Sequence, residues 1–144
     1  MKKTLLSLFA LACTLTASAD AVTFEKDGLK YEVTSPTTVR VAENKIDGVT
    51  VNVPASVENN GTTYTVNSIG ERAFYWDKVI NVTLPETIDS IYDHAFNGTK
   101  IVDLTLPSKL VYIGKYAFNS TNLESITIPG FGKTYRRQRF LHLL

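Results

Sequence analysis

Apolar residues follow two rhythms along this chain. From Asp20 to about Lys45 they alternate with polar ones. In VTFEKDGLKYEV, Leu29, Tyr31 and Val33 share one parity and therefore one face of a strand. Asp27-Gly28, between two alternating runs, predicts a hairpin. Pro36 ends that ribbon, TTVRVAEN reads as another strand, and GVTVNVPASV sets Val49, Val51 and Val53 on one side. ENNGTTYTV supplies a loop or hairpin around Asn60-Gly61. No stretch shows a persuasive helical apolar period, so the chain is expected to be mainly β with short helical or 3₁₀ turns.

The second rhythm is a step of 22 residues. It links Ile69, Ile91 and Ile113; Ala73, Ala95 and Ala117; Phe74, Phe96 and Phe118; and Pro85, Pro107 and Pro129. Val82, Leu104 and Ile126 keep the same step, as do Leu84, Leu106 and Ile128. A fixed period in so many phases predicts a solenoid, in which each coil buries its core against its neighbours. NVTLP, DLTLP and SITIP each place two apolar residues two apart, on one side of a short strand. Stacked, these strands are expected to form a parallel sheet along one flank. Each is ended by its Pro, which has no N–H for the ladder. Ala is expected to sit where the coil turns closely, and Phe to fill the interior behind it. Glu71-Arg72, Asp93-His94 and Lys115-Tyr116 lie between Ile and Ala and are expected to face solvent.

IGERAF…LPETIDSIYDHAF…LPSKLVYIGKYAF…ITIP resembles the BspA-like leucine-rich repeat family of exported and surface proteins in bacteria and some parasites. The resemblance is close over Val66 to Pro129 and looser upstream, where VNVPASVENNGTTYTVNSIG is similar to an expanded first coil with an inserted hairpin. It implies a right-handed curved solenoid that recognises protein or glycan, for example on host matrix or another microbe, without catalysis. The fold expected is therefore a short leucine-rich-repeat solenoid with 22-residue coils, preceded by an N-terminal β-hairpin region. Tyr92 departs from the pattern, standing where the other copies have Gly70 and Gly114, and is expected to leave an aromatic group outside. After Pro129 the recurring phrase gives way to GFGKTYRRQRFLHLL. That tail reads either as a cap, with Phe131, Tyr135 and Phe140 over the open core, or as the remnant of a truncated chain.

The first residues change the compartment. Met1-Lys2-Lys3, the apolar run Leu5 to Thr16 and Ala17-Ser18-Ala19 form a signal peptide pattern with cleavage before Asp20. The apolar run is too short to span a bilayer comfortably. Cys13 follows Ala10-Leu11-Ala12, but Ala10 stands where lipoprotein signals usually carry Leu, so cleavage after Ala19 is preferred to lipid attachment. The expected order is a signal peptide at 1–19, a capping hairpin region at 20–47, leucine-rich repeats at 48–129 and a basic tail at 130–144. The exported chain is expected in the medium, at the cell surface or in the periplasm.

Removal of the first 19 residues leaves 125 and no cysteine, hence no disulfide, thiol nucleophile or thiolate ligand. Charge is nearly balanced, with 13 Lys and Arg against 14 Asp and Glu, which argues against a general nucleic-acid-binding surface. Lys133, Arg136, Arg137 and Arg139 concentrate positive charge in the tail. No residue set reads as catalytic, metal-binding or cofactor-binding. His94 is expected to be a solvated loop residue, and His142 has no carboxylate or thiol near it in sequence. Asp89, Asp93 and Asp103 lack the order of a calcium loop. Glu86 and Asp89 do not suggest a glycosidase pair. Asn60, Asn81, Asn97 and Asn119 each open an Asn-x-Ser/Thr triplet, a glycosylation candidate in a secreted eukaryotic protein, but the signal peptide and repeat style look bacterial and turn chemistry explains most of them. The candidate binding residues are the aromatics at variable positions: Trp76 first, then Tyr75, Tyr92, Tyr112 and Tyr116. Gly98 and Ser120 occupy the phase of Trp76 in later coils, so the repeat does not require that ring.

Overall fold

A computed structural model describes residues 21–129 and 133–136. The signal peptide pattern and most of the basic tail, including Phe131, Phe140 and His142, lie outside the described residues. β1 (Thr23–Lys26) and β2 (Leu29–Ser35) pair antiparallel, with Lys26 opposite Leu29. Asp27 and Gly28 between them have φ of 50° and 78°, the left-handed pair that a tight hairpin requires. β2 then pairs with β3 (Thr38–Asn44), also antiparallel. β4 (Thr50–Asn52) leads to the hairpin of β5 (Ser56–Asn59) and β6 (Thr62–Ile69), which turns at Asn60 and Gly61 with φ of 48° and 79°. Both expected hairpins are therefore present, each with the residue pair that tolerates positive φ.

From β6 onward the chain coils. β6 lies parallel to β3, and the same sheet passes to β8 (Ser90–Ile91) and β9 (Tyr112–Ile113), with Ile69, Ile91 and Ile113 in register. On the opposite flank β7 (Asn81–Thr83) pairs parallel with β4, and a single bridge joins Asn81 to Asp103. β10 (Ser125–Ile128) pairs instead with β11 (Lys133–Arg136), antiparallel. The flank expected to carry the continuous parallel sheet is thus only partly paired. The longer ladder runs through the Ile that opens each recurring phrase. Shallow grooves of about 400 Å³ and 360 Å³ separate the segments around Val82, Leu104 and Ile126. Val49 also departs from expectation: it is 47% exposed while Val51 and Val53 are buried. It precedes β4 at a bend, where its carbonyl accepts the N–H groups of Ile80 and Asn81 at 2.8 and 2.9 Å.

The core is a set of ladders along the solenoid axis. Phe74, Phe96 and Phe118 stack almost parallel, with centroids 4.9 and 5.6 Å apart. Ala73, Ala95 and Ala117 are buried beside them, as are Ile69 and Ile91, with Ile113 partly buried. Pro85 and Pro107 accept from the N–H of Ile88 and Leu110 at 3.1 Å, so each begins a tight turn after its strand segment. Pro129 closes the corresponding segment of the last described coil.

At the N-terminal end, Tyr31 is 1% exposed and stacks on Phe24 at 5.4 Å. Burial, with a smaller contribution from the negative charge of Asp27, pushes its phenol up to about 12. An unfolded tyrosine ionises near 10, so the native state keeps its full advantage below that pH and loses it as pH rises to about 12. The urea midpoint should therefore fall across that alkaline window. Tyr31→Phe should remove part of the fall, and an unchanged alkaline profile in that variant would count against the assignment.

Candidate functional site

The corner after each Ile alternates between two kinds of backbone bond. Arg72, Phe74 and Trp76 donate N–H to the carbonyls of Asp93, Ala95 and Asn97 in the next coil, at 3.1, 2.8 and 2.8 Å. His94, Phe96 and Gly98 repeat this toward Lys115, Ala117 and Asn119 at 2.9, 2.8 and 2.9 Å. The residues between them close turns within the coil, as Tyr75 does onto Arg72 at 3.1 Å. The alternation puts two left-handed residues in every corner. Arg72, His94 and Tyr116 have φ of 56–57°, and Trp76, Gly98 and Ser120 have φ of 54°, 78° and 56°. Side chains on such residues are thrown outward, so the corner displays them while Ala and Phe fill the inside.

Three of these rings, Trp76, His94 and Tyr116, form one group with the exposed Tyr75. Tyr75 meets Trp76 edge-on at 6.3 Å and His94 edge-on at 6.2 Å, and His94 stacks on Tyr116 at 5.2 Å. The Arg72 guanidinium lies 5.5 Å over the Tyr75 ring. Tyr92 and Tyr112 form a second group, 5.6 Å apart, with the Arg40 guanidinium 5.9 Å from Tyr92. Arg40 is itself held by Glu32 in a forked pair at 2.7 and 3.0 Å. The structure therefore divides the five candidate aromatics: Tyr75, Trp76 and Tyr116 in one group, Tyr92 and Tyr112 in the other.

His94 is not the solvated loop residue expected from the sequence. It is half-buried between Tyr75 and Tyr116, and its Nδ1 is 2.9 Å from the amide of the buried Asn97. The signal that would have placed it is its phase, 22 residues from Arg72 and from Tyr116. The acidic residues serve the backbone and neighbouring hydroxyls. Asp93 accepts the Lys115 N–H at 2.9 Å, and Asp89 accepts the Ser90 hydroxyl at 2.6 Å. Glu86 takes both the hydroxyl and the N–H of Ser108, at 2.6 and 2.9 Å, which lower its carboxyl from the ordinary value. Among the described residues no three His, Cys, Asp or Glu side chains gather as a metal site. No described helix is long and apolar enough to cross a membrane.

Comparison with known proteins agrees with this architecture. Residues 53–142 match the BspA type leucine-rich repeat region, in six copies. The match runs past Pro129 into the tail, where the 22-residue step carries Ile113 to Tyr135 and Phe118 to Phe140. A leucine-rich repeat protein from Bacteroides ovatus is similar with a TM-score of 0.57 and 28% identity, over 74% of this chain and 35% of that one. One from Bacteroides capillosus gives 0.51 and 20%, over 72% and 96%. The pneumococcal vaccine antigen PcpA gives 0.55 and 18%, over 78% and 39%. The last two likenesses concern the fold alone. This chain spans about a third of the Bacteroides ovatus protein's length. No curated protein matches it.

Proposed function

Because the chain belongs to the BspA-type leucine-rich repeat family, a family of non-enzymatic interaction modules, we propose that it is an exported recognition protein. It binds a protein or glycan through the solenoid surface, on host matrix or on another microbe. Its place of action is the medium or the bacterial surface, in keeping with the signal peptide pattern and with a family typical of such locations. The observation that carries this reading is the array of exposed aromatics at corner positions that the coils do not need. Trp76 is 68% exposed, and coils two and three make the same turn with Gly98 and Ser120. Large aromatics left in water are costly to the fold and favourable at contacts.

The test is binding of the full chain, freed of its signal peptide, to immobilised matrix proteins and to a glycan array, beside Trp76→Ala. Trp76→Ala should weaken saturable binding at least tenfold, about 1.4 kcal/mol, with an unchanged melting temperature. A folded, monomeric protein that shows no saturable binding would overturn the reading. That outcome would favour the alternative, a structural fragment whose binding surface lies on further repeats.

A further inference from the structure

The Trp76 ring lies flat on the solenoid. A Cβ built on Gly98 would lie 2.7 Å from its Cδ2 and 3.1 Å from its Cε2 and Cε3. Three contiguous ring atoms at near-equal distance place the ring face-down over the Gly98 Cα. Gly98 is not there for its backbone alone, since Trp76 and Ser120 adopt left-handed φ at the same phase. What glycine adds is the absence of a side chain, and that absence is the seat of the ring. One face is thereby covered and the other left open, with Tyr75 standing perpendicular beside it at 6.3 Å.

This geometry discriminates among ligands. A tryptophan that anchors a protein contact sits in a well-packed, fully desolvated pocket, and a ring laid flat offers a partner one face only. A cation would face the Arg72 guanidinium, already 5.5 Å over Tyr75. A pyranose fits both constraints: its C–H face stacks on the electron-rich ring face, and its rim of hydroxyls meets the Tyr75 phenol and the exposed Arg72. Glu71 lies 3.8 Å from Arg72 and balances its charge, so the site suits a neutral sugar. The ring spans from the first coil to the second, and His94 and Tyr116 continue the aromatic row to the third.

We propose that Trp76, seated on Gly98 and walled by Tyr75, is a stacking platform for a neutral pyranose oligosaccharide. The proposal rests on the recognition reading above and narrows it to glycan at this corner. Trp76 is the sole tryptophan, so the fluorescence of the full chain reports on this ring. Hexasaccharides of β-linked glucose, N-acetylglucosamine, galactose and xylose are titrated in turn at up to millimolar concentration. At least one should give a saturable emission change. Gly98→Asn keeps a residue tolerant of left-handed φ but fills the seat, and it should weaken that binding at least tenfold. Trp76→Ala, at a position where later coils carry Gly98 and Ser120, should abolish binding by calorimetry with the fold intact by circular dichroism. Silence with all four sugars overturns the proposal, as does parental affinity in either variant. If immobilised matrix protein is then still captured in a Trp76-dependent way, recognition survives and the sugar platform does not. If nothing is captured, both readings fall.

Discussion

Phe96→Ala is expected to lower stability by about 3–5 kcal/mol, the largest effect of any single truncation in the coils. Its ring is fully buried between Phe74 and Phe118, at 4.9 and 5.6 Å, and nearly parallel to both. Removing it leaves a void facing two neighbours at once. Ala95 and Ile91, core residues of the same coil, are fixed by inter-coil ladders and cannot collapse into it. Natural domains are stable by only about 5–15 kcal/mol, so the variant should be marginal at room temperature. In a solenoid each coil is supported by nearest neighbours, so the urea transition should also lose cooperativity, the hairpin end outlasting the coils. Urea titration followed by far-ultraviolet circular dichroism measures both. A loss below about 1 kcal/mol would mean that the phenylalanine column is not what holds the coils together.

The second large effect concerns a position of one phase that behaves differently in different coils. Gly114→Ala should cost about 1–3 kcal/mol. A Cβ there would meet the Asp93 backbone nitrogen at 2.5 Å and the Tyr92 carbonyl carbon at 2.7 Å, with the Asp93 carboxylate closer still. Backbone atoms of the preceding coil cannot swing aside, because the Gly114 N–H is bonded to the Ile91 carbonyl at 2.7 Å and holds the coils at this separation. One coil earlier Tyr92 occupies the equivalent position and already carries a Cβ, so Tyr92→Ala strains nothing and loses only the ring's contacts with Tyr112 and Arg40, about 0.5–1.5 kcal/mol. Thermal melts of the two variants side by side check the contrast. Adding Asp93→Ala to Gly114→Ala should recover only part of the loss, since it removes the carboxylate and leaves the backbone in place. Equal stability of Gly114→Ala and the parent would refute the close approach.

The core and the hairpins were legible because residue type there answers directly to environment. Ile, Ala and Phe repeat since each phase of a coil offers one shape of space, and Asp27-Gly28 and Asn60-Gly61 are among the few pairs that take left-handed φ easily. The corner was less legible for the opposite reason. Its left-handed residues are set by the spacing of N–H and carbonyl groups between coils, and that spacing accepts Arg72, Trp76, His94, Tyr116 and Ser120 alike. Only Gly98 carries a sequence signal, and read alone it suggests a turn and not a seat for a ring. The same limit explains why the flank of NVTLP and DLTLP is only partly paired. Alternation in NVTLP and DLTLP reveals which side chains point inward, but which flank the coils approach most closely depends on their mutual tilt, and no single coil encodes that. His94 was hard to place because Asp93 and Ala95 beside it give no sign of the two rings it packs between, which lie 19 and 22 residues away.

The parallel coils and antiparallel hairpins also differ in the length of chain that must close to form them. Lys26 meets Leu29, and Asn59 meets Thr62, across two residues. Ile69 meets Ile91, and Ile91 meets Ile113, across a full coil. Closure entropy rises with the logarithm of the loop, so the hairpins are the cheap first events in time. Each later coil then pays the same toll regardless of how many precede it, and has a formed edge to settle on. Folding speed is accordingly set by the local pairs and one repeat length rather than by the length of the solenoid. The hairpin end is also the end synthesised first, so assembly can proceed in the order in which the chain is made.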